Sequence, residues 1–232
     1  MDNASQFPSV SENVVDHARE QAFIALRDAK TPRLLREFYD PETNYAGATF
    51  TQLGPVDHGA VTAVDLVATA TLSVTIPPRA VRRFLGEEGT AQELSRLLHA
   101  LPDVTLENTT PADFAPMSEF YDFIKTSLAR AGTASSNAWV TASKITARKR
   151  PGLFPVRDSV VCTYLGIHNL RDRAKDWVVF RELMRDPEIL ERLEVLASST
   201  KEPSMENRPV VEPEPLRLLD AVLWRFAGNP GH

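Results

Sequence analysis

Apolar residues recur at helical spacing along most of this chain and define its predicted elements. In residues 11–29, Val14, Ala18, Ala22 and Leu26 recur at every fourth position and form one face of a helix. The same kind of spacing predicts helices over residues 34–39, 63–74, 79–85, 91–101, 112–130, 139–150, 171–185, 188–197 and 216–226. Proline and glycine separate these segments, and none of them shows convincing strand character. The predicted fold class is therefore all-α.

Residues 40–57 lack this periodicity. They contain Pro41, Gly47, Gly54 and Pro55, which favour turns. We predict a loop here, with a short extended segment over residues 45–50 as the alternative.

The predicted helices form one domain. With 43% apolar residues, the 232-residue chain can bury a large core. We therefore expect a single helical domain over residues 1–232. A polar connection at residues 102–111 is the place where it would divide, into N-terminal helices at 11–101 and a hairpin-containing part at 111–227.

The most specific stretch of the sequence is residues 135–166, SSNAWVTASKITARKRPGLFPVRDSVVCTYLG. Its first helix ends before Pro151 and, with the helix over residues 112–130, would form a hairpin that breaks at Gly132. Pro155 and Asp158 then open a second, short helix that ends at Gly166.

This arrangement resembles part of the helix-hairpin-helix DNA glycosylase superfamily, in which a hairpin leads into a helix, a proline-bearing link and a catalytic aspartate at the next helix start. When Thr141 and Ala142 are aligned with the usual Thr-Ala of that family, Asp158 falls at the aspartate position without a gap. The hairpin is degenerate, because Ser136-Asn137-Ala138 stands where members carry Gly-hydrophobic-Gly. Glycine there lets backbone N–H groups approach a DNA phosphate closely.

The whole chain is also similar to an uncharacterised bacterial family of unknown function. The similarity is carried by two segments, Thr62 to Ala80 and Ala147 to Asp158. This second resemblance implies no activity.

The first resemblance implies a DNA-binding protein with base-excision chemistry, in which Asp158 is the catalytic carboxylate. Val140 stands where bifunctional members carry the lysine that forms a Schiff base, which implies a monofunctional glycosylase. A flipped base would need pocket walls, for which Trp139, Tyr164 and Trp177 are the candidates. The candidate nucleic-acid contacts are Asn137, Lys144, Arg148, Lys149, Arg150 and Arg157.

Charge supports a local contact with nucleic acid rather than a general one. The net charge of −5 argues against binding through the whole surface, whereas the basic residues between Arg130 and Arg157 could confine a polyanion to one face. The alternative is a solvated helix face whose cations pair with acids from elsewhere in the chain. For Asp158 the alternative is a helix N-cap that needs no substrate.

Three functions therefore stay open: a DNA glycosylase-like enzyme, a non-catalytic nucleic-acid-binding relative, and an unrelated helical protein-interaction domain.

Other kinds of site have little support in the sequence. Cys162 is the only cysteine and has the pattern of a core residue, and the five histidines show no metal-ligand spacing. We expect neither metal nor cofactor. No segment has the length and apolarity of a membrane span, and residues 1–20 do not resemble a secretory signal, so the expected location is cytoplasmic.

Overall fold

The described part of the chain is entirely helical. The computed structural model describes residues 6–129, 138–200 and 211–228, and within these ranges there is no strand. The α-helices, in chain order, are α1 (Glu12–Arg27), α2 (Thr31–Tyr39), α3 (Gly47–Gln52), α4 (Ala63–Thr71), α5 (Pro78–Gly86), α6 (Glu88–Ala100), α7 (Phe114–Leu128), α8 (Trp139–Lys149), α9 (Ser159–Tyr164), α10 (Arg173–Met184), α11 (Pro187–Thr200) and α12 (Pro215–Ala227). Short 3₁₀ turns lie at Leu106–Asn108, Pro111–Asp113 and His168–Leu170. The predicted all-α class is confirmed.

Local capping explains where several helices begin. The Thr62 side chain accepts a hydrogen bond from the Asp65 backbone N–H, and the Asp65 carboxylate accepts one from the Thr62 backbone N–H, so α4 starts with a full capping box. Pro78 and Pro215 occupy first-turn positions of α5 and α12, where a missing N–H costs nothing. These starts agree with the sequence prediction.

The prediction of a loop over residues 40–57 is wrong at α3, and so is its extended alternative over residues 45–50. Gly47 begins this helix directly against the backbone of Phe38, and a Cβ atom there would collide with the Phe38 carbonyl oxygen. Phe50 anchors the same helix in the core. A six-residue helix has too few turns to show periodicity, and tertiary packing is what holds it.

Four predicted boundaries move by three residues. α2 begins at Thr31 rather than Leu34, and α11 ends at Thr200 rather than Ala197. α4 ends at Thr71 rather than Val74, because Ser73 takes a left-handed conformation with φ of 60°. α6 begins at Glu88 rather than Ala91, so that Glu87 alone separates it from α5.

The core joins helices from both ends of the chain. α12 packs on α2 and α9, α1 packs on α10, and α8 packs between α4 and α7. Trp177 lies at an aromatic centre with Phe114, Tyr121 and Phe154, with edge-to-face ring centroids 5.6–5.8 Å apart. Cys162 is a buried thiol, as predicted. No helix in the described ranges is both long and apolar enough to cross a membrane.

One buried ionic cluster ties α4 to α8. The Asp65 carboxylate is fully buried and lies 2.8 Å from Lys149 Nζ and 3.4 Å from Arg148 Nε. Arg148 also donates to the carbonyl oxygens of Phe50 and Leu53, at 2.5 Å each. The cluster therefore fixes α8 against α4 and against the end of α3.

Replacing Asp65 with alanine should destabilise the fold strongly. The substitution leaves two cations buried without their carboxylate, which costs about 3–5 kcal/mol in buried pairs of this kind. Urea denaturation measures the change. The matched control is Glu93→Ala, which removes an exposed i,i+3 partner of Arg96 and should leave the midpoint almost unchanged. A loss in Asp65→Ala as small as the control would contradict the role given to this cluster.

Candidate functional site

Asp158 lies at the start of α9 and has two protein partners. Its Oδ1 accepts a hydrogen bond of 2.9 Å from the Val160 backbone N–H, so the predicted N-cap is confirmed. Its Oδ2 lies 3.3 Å from Lys144 Nζ on α8. The carboxylate side chain is 14% exposed. Asp158 is thus held from two sides but is not sealed in the core.

Asp158 lines a cavity of about 110 Å³, and five aromatic side chains are among the residues that line it. An engineered apolar cavity of about 150 Å³ holds benzene, so this one is somewhat smaller than a cavity that encloses a whole aromatic ring. The ring centroid of Phe38 lies 5.8 Å from that of Trp224 and 6.3 Å from that of Tyr45. The aromatic and charged lining comes from α2, α8, α12 and the chain around α3 and α9: Phe38, Tyr39, Tyr45, Phe50, Trp224, Lys144, Asp158, Arg217 and Asp220.

Lys144 brings a cation to the same cavity. Its Nζ donates 2.8 Å to the Leu72 carbonyl oxygen and faces Asp158. Burial lowers the pKa of Lys144, and the neighbouring Asp158 carboxylate opposes that shift. The ion pair therefore holds Asp158 in place at the edge of the cavity.

Asp220, on α12, is the second carboxyl group of the cavity. It is 4% exposed, and its Oδ2 accepts a 2.6 Å hydrogen bond from the Val156 backbone N–H. Its Oδ1 is buried and has no hydrogen-bond partner among the described residues. Burial raises the pKa of Asp220 well above its usual range, while the Val156 N–H and Arg217 act weakly in the other direction.

These groups together suit a planar, polar heterocycle. Aromatic walls bind its faces, and a few fixed polar groups orient its edge. A carboxylate in the same lining can stabilise a positive charge that develops nearby.

The predicted nucleic-acid contacts are mostly turned into the protein. Lys144, Arg148 and Lys149 are buried, with the partners described above. Arg157 is also buried, with Nε 2.8 Å from Asp176 Oδ2. A phosphate contact by any of these side chains would require its present pairing to open.

Arg150 and Asn137 are the remaining predicted contacts. Arg150 is half-buried and donates to the Leu98 carbonyl oxygen at 3.1 Å. Asn137 lies outside the described residues, as does the predicted turn at Gly132.

The three predicted base-pocket residues do not line the Asp158 cavity. Trp177 is a core residue with 1% exposure, and the Tyr164 hydroxyl donates to the Gln21 carbonyl oxygen. Trp139 lines a separate cavity together with Arg157 and Asp176, and the Arg157 guanidinium lies 5.1 Å from its ring centroid. The walls next to Asp158 are instead Phe38, Tyr45, Phe50 and Trp224.

The sequence carries one signal that could have located Asp220. In LRLLDAVLWRF the aspartate lies four positions after Leu216 and within an apolar run, so helical spacing places a carboxyl group on the buried face. A charged residue at such a position is often functional. Tyr45 and Phe38 gave no comparable signal, because their approach to Asp158 depends on tertiary packing.

No metal centre is indicated by the geometry. The described residues contain no group of three or more His, Cys, Asp or Glu side chains that could hold a metal ion.

A comparison with protein families gives one match. A family model described as a family of unknown function (DUF6308) matches residues 31–227, most of the chain. Searches of curated proteins and of solved structures find no match.

The Asp220→Asn variant should change how stability depends on pH. A carboxyl group whose pKa is raised in the folded state binds more protons there than in the unfolded chain, where its pKa is about 3.9. Asp220 therefore adds to the unfolding free energy of the wild type at low pH. This contribution is lost as pH rises from about 4 through the folded pKa of Asp220.

Asparagine cannot titrate, so the difference in unfolding free energy, wild type minus variant, should fall across that pH window. Urea denaturation at a series of pH values measures this difference. Asp176 and Glu214, whose pKa values burial also raises, are present in both proteins and cancel. A difference that stays constant or rises with pH would contradict the assignment.

Proposed function

We propose that this chain, which belongs to that family of unknown function, is a monofunctional N-glycosidic hydrolase that binds a nucleobase in the Asp158 cavity. The observation that carries the proposal is a carboxylate, 14% exposed, that lines a small cavity together with five aromatic side chains. The proposed substrate is a base attached to DNA, as the resemblance around Asp158 implies. Free nucleosides present the same chemistry and serve as the comparison.

The chemistry follows from the charge that develops during bond cleavage. Breaking a C–N glycosidic bond leaves positive charge on the sugar, and a fixed carboxylate near the anomeric carbon lowers the energy of that state. Asp158 is the group proposed for this role. Lys144 and the Val160 N–H hold its two oxygens, so little reorganisation is needed when the charge appears.

Hydrolysis without a lyase step fits the residues near the cavity. Val140 stands at the position where bifunctional members of the resembling superfamily carry the Schiff-base lysine, and a valine side chain is not a nucleophile. Lys144 is the amine that pairs with Asp158 among the described residues, and its Nζ is engaged by the Leu72 carbonyl oxygen and by Asp158. Attack on a sugar by this amine would require both interactions to break.

A second candidate function is binding without catalysis. The observation that favours it is that both carboxylate oxygens of Asp158 already have partners within the protein. One oxygen caps α9, and the other pairs with Lys144. In that case the cavity binds a heterocycle and Asp158 is structural. The two functions predict opposite results when Asp158 loses its charge.

Asp158→Asn should abolish base release while the fold persists. Asparagine is close in size and caps a helix as well as aspartate does. Loss of the negative charge removes an interaction that strengthens in the transition state, with an expected decrease in rate of at least about 10²–10³-fold. The measurement is single-turnover release of free base from oligonucleotides and nucleosides that carry alkylated, deaminated and oxidised bases, with thermal melts of each protein.

Asp172→Asn is the matched control. Asp172 caps α10 by accepting from the Ala174 N–H at 2.9 Å, and it does not line the Asp158 cavity. The same chemical change there should leave base release intact. If the wild type releases no base from any substrate, the hydrolase proposal is wrong; equal rates in Asp158→Asn and wild type would remove Asp158 from it.

Borohydride added during turnover should trap no covalent protein–substrate adduct. This follows because a monofunctional hydrolase forms no Schiff base. Intact-protein mass spectrometry after reduction measures the adduct, with Lys144→Met as the control for the one amine that lines the cavity. An adduct in the wild type that disappears in Lys144→Met would show a lyase mechanism and contradict the proposal of simple hydrolysis.

A further inference from the structure

The Asp158 cavity contains two carboxyl groups in very different surroundings. Asp158 is partly exposed and has a cation 3.3 Å away. Asp220 is buried, accepts one backbone hydrogen bond, and leaves Oδ1 without a partner among the described residues. Two carboxyl groups held in environments of opposite character are the usual arrangement for dividing acid and charge-stabilising roles.

Arg217 is the nearest candidate to neutralise Asp220, but it is engaged elsewhere. It lies on α12, three positions before Asp220, and its guanidinium packs over the Phe50 ring at 4.1 Å. Its Nη2 lies 3.3 Å from Glu212 Oε2, and its Nη1 donates a hydrogen bond to the Ala147 carbonyl oxygen. Arg217 therefore forms its short ion pair with Glu212, not with Asp220.

The other titratable groups facing Asp220 favour its acid form. Asp158 at the start of α9 and Glu212 in the segment before α12 both raise the pKa of Asp220, as burial does to a larger extent. Tyr39 on α2 and Cys162 on α9 are also close enough to interact with it, and both are neutral because burial raises their own pKa values. Arg217 is the single group that opposes these effects by charge.

We infer that Asp220 is the proton donor of this site: resting on the proposed function, it enters the reaction protonated, hydrogen-bonds a ring nitrogen of the bound base, and passes its proton to that nitrogen as the glycosidic bond breaks. Asp220 lines the cavity, and its buried Oδ1, which has no partner among the described residues, is the atom assigned to this contact. Asp158 keeps the role proposed above, beside the sugar.

The step balances without any further reagent. The electron pair of the C–N bond remains on the departing base, and the proton from Asp220 keeps that base neutral. A water oxygen bonds to the anomeric carbon and gives up one proton, which restores the acid form of Asp220 through solvent. The products are one free base and one sugar hydroxyl, and nothing is oxidised or reduced.

This role defines the class of ligand. A protonated carboxyl group donates one hydrogen bond, so the cavity selects a heterocycle with an unprotonated ring nitrogen at the edge facing α12. Purine-type bases present such nitrogens at N3 and N7, and a cavity of about 110 Å³ admits only the part of the base that carries one of them. A deaza analogue, in which carbon replaces the ring nitrogen, keeps the shape of the base and loses the acceptor.

The first test compares the pH dependence of single-turnover base release in wild type and Asp220→Asn. The wild-type rate should fall as pH rises through the pKa of Asp220, because the proton donor is lost. Asparagine still offers an N–H to the base but cannot transfer a proton, so the rate should decrease by about 10²–10⁴-fold and lose the alkaline fall. A purely structural Asp220 predicts an unchanged pH profile.

Asp176→Asn is the matched control for this test. Asp176 is also buried, also has an unpartnered Oδ1, and also has a raised pKa, but it lines the separate cavity with Trp139. Its substitution should leave the alkaline fall in place. Thermal melts show whether either variant has lost its fold.

The second test measures binding and does not depend on turnover. Adenine, 3-deazaadenine and 7-deazaadenine are titrated against the fluorescence of Trp224, which lines the cavity, with Trp224→Phe to identify the signal. Adenine should bind more tightly than at least one deaza analogue in wild type, and this preference should vanish at a pH where Asp220 has ionised. Asp220→Asn should keep the preference at that pH.

The outcomes separate the two proposals. Base release by the wild type with an unchanged rate and pH profile in Asp220→Asn overturns the inference and leaves the hydrolase standing. Binding with nitrogen preference but without release overturns the hydrolase and the proton transfer, and keeps Asp220 only as a hydrogen-bond donor. Neither binding nor release overturns both.

Discussion

The fully buried carboxylate of Asp65 fixes the geometry on which the candidate site depends. It caps the first turn of α4 and at the same time neutralises Lys149 and Arg148 at the end of α8. Through Arg148 it reaches the carbonyl oxygens at the end of α3, which carries Phe50. Because α8 is held in this way, Lys144, one turn earlier on the same helix, is positioned to meet Asp158. Removing cations of this kind from water is costly, so the arrangement holds only while every partner is in place.

The cavity itself combines elements that are distant in the sequence. Phe38 comes from α2, Asp158 from the start of α9, and Asp220 with Trp224 from α12. The packing of α12 on α2 and α9 brings these groups together. The surroundings of the two carboxyl groups differ. Asp158 is partly exposed and lies beside Lys144, whereas Asp220 is enclosed and accepts a hydrogen bond from one backbone donor. The same side-chain chemistry thus yields two different electrostatic groups within one small space.

What could be predicted from the sequence was local. The spacing of apolar residues located most helices, and Thr62, Asp158 and Pro215 marked helix starts because a cap acts within a few residues of itself. The surroundings of the basic residues on α8 were not predictable in this way, since Arg148 meets Asp65 across 83 positions of the chain. The base-pocket residues predicted from the sequence, Trp139, Tyr164 and Trp177, are not among the residues that line the Asp158 cavity. The residues that line its cavity, such as Tyr45 and Trp224, come from other elements, and only tertiary packing selects them.

The position of α12 in the chain affects when the cavity can form during synthesis. α12 follows every other described helix in the chain, yet it supplies Asp220, Trp224 and one whole side of the cavity. During synthesis from the amino terminus, the earlier helices can form and begin to pack, but the cavity lacks a wall until α12 has emerged and docked. A growing polypeptide therefore passes through a long stage in which Asp158 is already capped and the site does not exist. The cavity is therefore complete only once α12 has docked.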